Sequence, residues 1–569
     1  MSKIKPLDEA IHTLVTPASA VHVTTQARAA TNALLRVFQG QSMDLTLIVS
    51  RVGGARAADL AASGIVKKVI SGSYGLVSRN YTGRLRQLEA AHSSGKVVFE
   101  HWSFWSLIQR LMAAAQGQPY ALTYSLAGSS LAKDNDDYRE VADPFDPQRS
   151  VGVVRALHPD ISILHADAAD EEGNTVLIPP FEEGAWGAKA SKGGAIVTTE
   201  RIVDREFIRR HAHLVQLPAR YVKAVCHVHF GARPGAFGHD DVPGFSGYGE
   251  DHAFNDAYVE ATRDPARLAE WVGQWITGLR GHEDYLERLG TRRLEGLTKP
   301  SASSGDKGNE VAGQPALQTA SVPADQPAKQ ASDNEVLMTL AMREVVKLAV
   351  ESGCDVFLVG AGLSEVPATA AHSVLQEQGV EVSLAMGHGY FGFEPEPGRS
   401  DTEPGTACMS TDPAEIYGVV MAGRLGRTMA ILGAAQVDRF ANLNSTLIDG
   451  KLLIGSGGSN DASSMCQTLV VTRTGRRKLV ERVEYETCTG KNVRAVITEK
   501  GVFEKSGGSG TLTLVSYVDS AGLGREQVLK DIAANCGWAL EVSPNVQRAA
   551  MPTEKELDLV RRLMPDRYA

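Results

Sequence analysis

Residues Ile161–Ile178 read ISILHADAADEEGNTVLI, and Ala430–Ile448 read AILGAAQVDRFANLNSTLI. Each stretch runs from an apolar strand through D-x-x-small-N into a second strand. KGGAIVTTERIV, ending at Val203, follows the first. GSGGSNDASSMCQTLVVTRTG, from Gly455 to Gly475, follows the second at a similar offset. In both places Gly-Gly precedes a strand that ends in Thr. The same features in the same order predict a duplicated fold, with Asp170 and Asn174 corresponding to Asp438 and Asn442.

Each copy lies within a longer alternation of strand and helix patterns. LTLIVS (Leu45 to Ser50) leads into VGGARAADLAASG, then VKKVISGSY and a helical stretch around Arg84 to Ala91. VVFEHWS (Val97 to Ser103) leads into SLIQRLMAAAQG. In the second copy DVFLVGAGLSEVPATAAHSVLQEQG reads as strand, glycine turn and helix. Such alternation predicts βαβ units around largely parallel sheets. The fold class is therefore α/β: two homologous α/β domains.

Between them, from Lys299 to Asn334, runs KPSASSGDKGNEVAGQPALQTASVPADQPAKQASDN, without an aromatic, Ile or Met. It lacks the apolar surface needed to offset the entropy of ordering, which predicts a flexible linker. The expected domains are 1–298 and 335–569, joined by 299–334.

The 569 residues include 43% hydrophobic and 22% charged, ample for real cores. Glycine is frequent at 56 residues and aromatics are few at 6%, which suits tight strand-to-helix turns. Composition of this kind excludes disorder as the overall state. Net charge is −9, from 58 basic and 67 acidic residues, with no Lys/Arg-dense stripe, so no nucleic-acid partner is expected. Cys226, Cys354, Cys408, Cys466, Cys488 and Cys536 form no C-x-x-C pair and read as reduced thiols. MSKIKPLDEAIHTLV at the start carries no apolar signal core, and no run is long enough to span a membrane. The expectation is a cytoplasmic protein with no membrane partner.

Three motifs bear on chemistry. Gly360-Ala-Gly362-Leu-Ser-Glu365 opens a helix after a strand, but Glu365 replaces the third glycine of a dinucleotide fingerprint, so it reads as a tight βα turn. His227 and His229, with His239 and His252 downstream, have spacing compatible with metal ligation, although strand histidines are more often packed or hydrogen-bonded. No metal is expected. No Gly-x-Ser-x-Gly elbow occurs, so that type of serine hydrolase has no support.

HPDISILHADAADEEGN, GAAQVDRFANLNST and GSGGSND together resemble class I CoA-transferases, in the glutaconate CoA-transferase branch. The resemblance covers nearly everything but the linker and implies an A-type half fused to a B-type half, each like one of that family's two subunits. It implies an acyl-CoA substrate, with coenzyme A as part of that substrate and no permanently bound cofactor, and a homo-oligomer. In that family a B-half glutamate attacks the acyl-CoA carbonyl and carries CoA as a glutamyl thioester, while backbone amides hold the oxyanion. The matching stretch here is VEVSLAMGHGYFG, Val380 to Gly392. Aligning Gly389 with the family's glycine puts Gly387 at the glutamate, with His388 beside it as a catalytic candidate.

Relatives without that glutamate imply other chemistry. One group hydrolyses a carbon–carbon bond of ring-derived CoA thioesters through an A-half glutamate, which matches Glu100 here. Another decarboxylates with a cysteine, which position 387 lacks. Glu100 lies beside Trp102, Phe104 and Trp105, where desolvation is expected to raise its pKa toward neutrality and suit it as a general base. The alternative for Glu100 is a salt-bridged strand-end glutamate. Glu394 or Glu396 serves as a displaced nucleophile if the register slips. Ser71, Gly72, Ser73 and Tyr74 resemble the substrate-facing loop. Gly433, Ala434 and Ala435 match the oxyanion loop, and Gly455 to Asp461, with Gly457, Gly458 and Asn460, the CoA-facing turn. The leading expectation is C–C bond hydrolysis in a keto-acyl-CoA. CoA transfer by a displaced carboxylate, decarboxylation and non-catalytic CoA-thioester binding are the alternatives.

Overall fold

The computed structural model describes residues 2–49, 54–78, 81–181, 183–238, 242, 244–298, 331–360, 362, 364–395, 406–423, 427–505 and 510–564. In the first half, β1 (Ala20–Val23), β2 (Leu45–Val49), β3 (Val66–Ser71), β4 (Val98–His101), β5 (Ile161–Ala166), β6 (Ala195–Thr199) and β7 (Val222–His227) form one sheet in the order β7-β6-β5-β1-β2-β3-β4. All its pairings are parallel. Helices cover both faces of such a sheet, and β5 and β6 are accordingly buried at every position.

The second half repeats the plan. Its parallel centre is β8 (Val356–Val359), β9 (Ser383–Met386), β10 (Thr428–Gly433), β11 (Gln467–Val471) and β12 (Val493–Thr498), in the order β9-β8-β10-β11-β12. That is the order of β2-β1-β5-β6-β7, so the two halves share a five-stranded core and differ in what is added at its edges. Strand order reverses between β1 and β5 and again between β8 and β10, and crevices at such points are where open α/β sheets bind ligands.

The motif that exposed the duplication is a hydrogen-bonded loop. Asp170 Oδ1 accepts from the N–H groups of Gly173 and Asn174, both at 2.8 Å, and Oδ2 accepts from Asn174 Nδ2 at 2.7 Å. Asp438 does the same with Phe440 and Asn442, both at 2.9 Å, and with Asn442 Nδ2 at 3.1 Å. Each asparagine oxygen then accepts from the short 3₁₀ turn that feeds the last core strand: Asn174 from Ala219 at 3.1 Å, Asn442 from Gly490 at 2.8 Å. The Asp–Asn pairs are turn-formers that satisfy buried backbone groups.

Most of the expected linker, 299–330, lies outside the described residues. Helix Asp333–Ser352 follows, where Ser332 and Glu335 form a capping box that satisfies its first amides. No described helix is long and apolar enough to cross a membrane.

The halves meet along a seam of backbone hydrogen bonds at the ends of β3 and β4. Tyr74 N–H donates to Ile454 O at 2.8 Å, Gly457 N–H to Gly72 O at 2.7 Å, and Phe104 N–H to Gly457 O at 2.9 Å. Phe104, Trp105 and Ile108 complete a hydrophobic core otherwise built from the second half.

Candidate active site

The candidate residues lie in both halves of the sequence, and the structure gathers many of them at this seam. Helix Phe104–Ala115 starts there, capped by Ser103. Asp461, on the opposing half and fully buried, takes the place of a second cap. Its Oδ1 accepts from Ser103 Oγ at 2.5 Å and Ser125 Oγ at 2.6 Å, and its Oδ2 from Trp105 N–H at 3.0 Å. Burial nonetheless outweighs these bonds and pushes the carboxyl up to about 6. Asp461 lay inside the quoted glycine-rich stretch, but nothing local to it announces partners in the other half.

Several expected contact residues are consumed by the seam itself. Ser71 is buried, its hydroxyl donating to Ser73 O at 2.8 Å. Tyr74 is buried, with its hydroxyl 2.9 Å from His101 Nδ1. Gly457 spends its N–H on Gly72 O and its carbonyl on Phe104 N–H. Asn460 is buried, accepting from Leu126 N–H at 2.9 Å and donating to Thr487 O at 2.8 Å. Gly72, Gly457, Asn460 and the Tyr74 backbone bond across the two halves, and of the Ser71–Tyr74 loop only Ser73 is part-exposed.

The oxyanion expectation is also narrowed. Gly433 is exposed, and a Cβ there would meet open space. Ala435 N–H, however, already donates to Asn444 O at 3.1 Å. Its amide is not an oxyanion donor in this conformation.

Glu100 sits on β4 opposite Ile70 of β3, with its side chain 21% exposed. The expected upward pKa shift is not found. Burial does push it up, but Lys68 Nζ at 2.5 Å, Trp102 Nε1 at 2.7 Å and Arg110 NH1 at 3.3 Å together hold it below the usual glutamate value. Arg110 is itself buried, lies 4.2 Å over the Trp102 ring, and also bonds Asp137 and Arg155 O. Glu100 is therefore a salt-bridged strand-end carboxylate that stays ionised at neutral pH.

At the end of β9, position 387 is occupied in an unexpected way. Gly387 and Gly458 both face Tyr417, and a Cβ built on either would fall 2.2 Å from the tyrosine hydroxyl. Tyr417 is 3% exposed, stacks on Trp105 with ring centres 5.9 Å apart, and meets the edge of Phe104 at 5.7 Å. Gly389 is glycine for a different reason: its φ is +124° and a Cβ would lie 2.3 Å from Thr411 O. His388 packs edge-on against Tyr390.

Of the displaced acids, Glu394 is exposed and accepts from Gln376 at 3.2 Å, and Glu396 lies outside the described residues. Asp412, missed in the sequence, is nearer. It follows Thr411, which bonds Gly389, and it accepts from Ala414 N–H at 2.7 Å and from Trp186 Nε1 of the first half at 2.8 Å. Burial raises its pKa.

Away from the seam, Gly360 and Gly362 form a βα turn between β8 and helix Glu365–Glu377; Ala361 and Leu363 lie outside the described residues. His227 and His229 pack ring to ring and turn to Glu200, His227 through that residue's backbone oxygen at 3.1 Å and His229 through its carboxylate at 3.6 Å. His239 lies outside the described residues.

Comparison with known proteins shows what this architecture is like. Residues 5–227 match the family described as Coenzyme A transferase. The A-type component of glutaconate CoA-transferase from Acidaminococcus fermentans is 27% identical over 52% of this chain and 95% of its own. The 3-oxoadipate CoA-transferase of Pseudomonas knackmussii matches twice. Its A-type component is 29% identical over 36% of this chain and 71% of its own, and its B-type component is 29% identical over 41% of this chain and 93% of its own. An acyl-CoA transferase of E. coli O157:H7, solved as a thioester complex with CoA, superposes with a TM-score of 0.65. It covers 99% of this chain and 98% of its own at 16% identity, a likeness of fold.

Proposed function

Because the chain is an enzyme of the CoA-transferase superfamily with the class I fold, we propose that it transforms an acyl-CoA thioester without a glutamyl-CoA intermediate on residue 387. Residues 1–298 serve as the A-like half and 335–569 as the B-like half, joined through 299–334, and the enzyme works as a homo-oligomer in the cytoplasm. One observation carries the reading. Gly387 directly follows Met386, the last residue of β9 in the central parallel sheet, and as a glycine it offers no carboxylate where the family's nucleophile is expected. Without that nucleophile, the chemistry we assign is hydrolysis of a carbon–carbon bond in a keto-acyl-CoA. Water gives a proton to the Glu100 carboxylate and its oxygen attacks the ketone carbon. The carbon–carbon bond breaks toward the thioester α-carbon, which recovers the proton. The products are a carboxylic acid and a shortened acyl-CoA.

The test is intact mass after incubation with an acyl-CoA panel and borohydride, with CoA binding measured in parallel. The expected result is binding without a reduced glutamate or aspartate. A reduced glutamate or aspartate would restore CoA transfer, the second reading, which Asp412 favours as a half-buried carboxylate beside the Gly387–Gly389 turn.

The ion pairs of Glu100 fix the sign of a pH dependence. A base whose pKa lies below the usual glutamate value keeps its active form throughout the neutral range, so kcat/KM has no acid limb near pH 7. Removing the cation in Lys68→Met raises the carboxyl pKa, and the acid limb moves to higher pH. A profile unchanged by Lys68→Met would remove Glu100 from the reaction.

A further inference from the structure

Glycine at 387 is not demanded by its backbone. Gly389, Gly392, Gly455 and Gly457 all have positive φ, whereas Gly387 and Gly458 do not, so an ordinary residue fits their backbone angles. What excludes a side chain at both is one residue, Tyr417: its hydroxyl oxygen lies 2.2 Å from either ideal Cβ, and its Cζ lies 2.8 Å from the one on 387. The far end of a tyrosine often swings aside, but this one is held. Its ring stacks on Trp105 and meets Phe104 edge-on, both of the first half, and a Cβ on the adjacent Gly418 already lies 3.5 Å from Trp105. Tyr417 belongs to a widened π-helical turn, Ala414–Met421, whose start Asp412 caps while it also accepts from Trp186. Irregular turns of this kind often mark functional positions.

We propose that Tyr417 is a specificity-determining residue: its hydroxyl fills the volume a side chain at 387 needs, and so keeps this site closed to a covalent carboxylate carrier. The proposal rests on the reading that the chain works without glutamyl-CoA at 387. It extends that reading from an absent glutamate to the residue that holds the position shut. A glutamate placed at 387 would act only after Tyr417 is cut back. Its carboxylate oxygen would then attack the thioester carbonyl carbon, and the C–S bond would break with its electron pair leaving on CoA thiolate. The thiolate would attack the glutamyl carbonyl of the resulting anhydride, releasing the acyl carboxylate and leaving a glutamyl–CoA thioester.

The experiment uses the full-length chain, Gly387→Glu, Tyr417→Ala and the double variant, each incubated with acetyl-, succinyl- and glutaryl-CoA, reduced with borohydride and mapped by peptide mass. Reduction at residue 387 is expected in the double variant at no less than about tenfold the level in Gly387→Glu alone, the shift expected when about 1.4 kcal/mol of steric exclusion is lifted. Equal reduction in the two, or a folded, CoA-binding double variant with none, overturns the proposal. Thermal midpoints of Gly387→Ala in the parent and Tyr417→Phe backgrounds keep it falsifiable if the double variant fails to fold. The alanine should lower the midpoint less once the hydroxyl is gone, and equal losses overturn the proposal. Reduced glutamate in the unmodified chain would instead sink the functional reading and leave these variant comparisons standing.

Discussion

Glu100→Gln is expected to lower kcat by about 10²–10⁴-fold, the usual range for loss of a positioned general base. The glutamine keeps an acceptor for Trp102 Nε1 but loses the charge that Lys68 and Arg110 attend. Arg110 retains Asp137 and Arg155 O, so it is not stranded in the core. The stability cost should therefore stay near 1–2 kcal/mol, typical of weakening a single charged hydrogen bond. KM for the acyl-CoA and calorimetric CoA binding should change little. Steady-state kinetics on a keto-acyl-CoA panel checks this. A variant within about threefold of the parent, with its Tm lowered, would make Glu100 a structural anchor only.

Asp461→Ala should weaken the seam by about 2–4 kcal/mol, since it leaves the Trp105 amide and the Ser125 hydroxyl without their buried acceptor, while the Ser103 hydroxyl falls back on Ser106 Oγ. Urea unfolding followed through Trp102 and Trp105 reports on that region. Asp461→Asn separates charge from shape. Because the folded pKa is raised, to about 6 against 3.8, the native state holds this proton more tightly than the unfolded chain. The stability it contributes is therefore largest in acid and is lost as pH rises from about 4 to about 6, by roughly 3 kcal/mol. The asparagine variant, which does not titrate, should fall short of the parent by more at pH 4 than at pH 7. The opposite order would mean that the ionised carboxylate is the form the fold prefers.

The alternation of β-branched runs with helical patterns, and the Asp–Asn spacing shared by Asp170–Asn174 and Asp438–Asn442, made two related α/β sheets legible before any coordinates. Those signals are local, because strand periodicity and a turn-forming pair both act within a few residues. The site was less legible, because its geometry is made by residues hundreds of positions apart. Trp102, Phe104 and Trp105 around Glu100 argued for desolvation, and desolvation is present. What reversed the shift was Lys68, brought alongside by the register of β3 against β4. Tyr74 and Asn460 resemble ligand-facing positions, and their contacts with the other half are hidden because turns at strand ends look alike in sequence whatever they face. Tyr417 left no mark on the sequence beyond two glycines that no backbone angle requires.

The main-chain bonds joining Tyr74 to Ile454, Gly72 to Gly457 and Phe104 to Gly457 have a consequence for partner choice. Amides and carbonyls are common to every polypeptide, so this part of the joint cannot tell one homologous half from another. Discrimination falls on the side chains that cross over, among them Asp461, Asn460, the Trp186–Asp412 and Lys133–Glu486 pairs, and Tyr417 against Trp105 and Phe104. Where two such halves circulate as separate chains beside close paralogues, mispairing is a hazard those contacts must prevent. Carrying both halves on one polypeptide replaces recognition by tethering and sets their ratio at one to one, which leaves the crossing side chains free to drift.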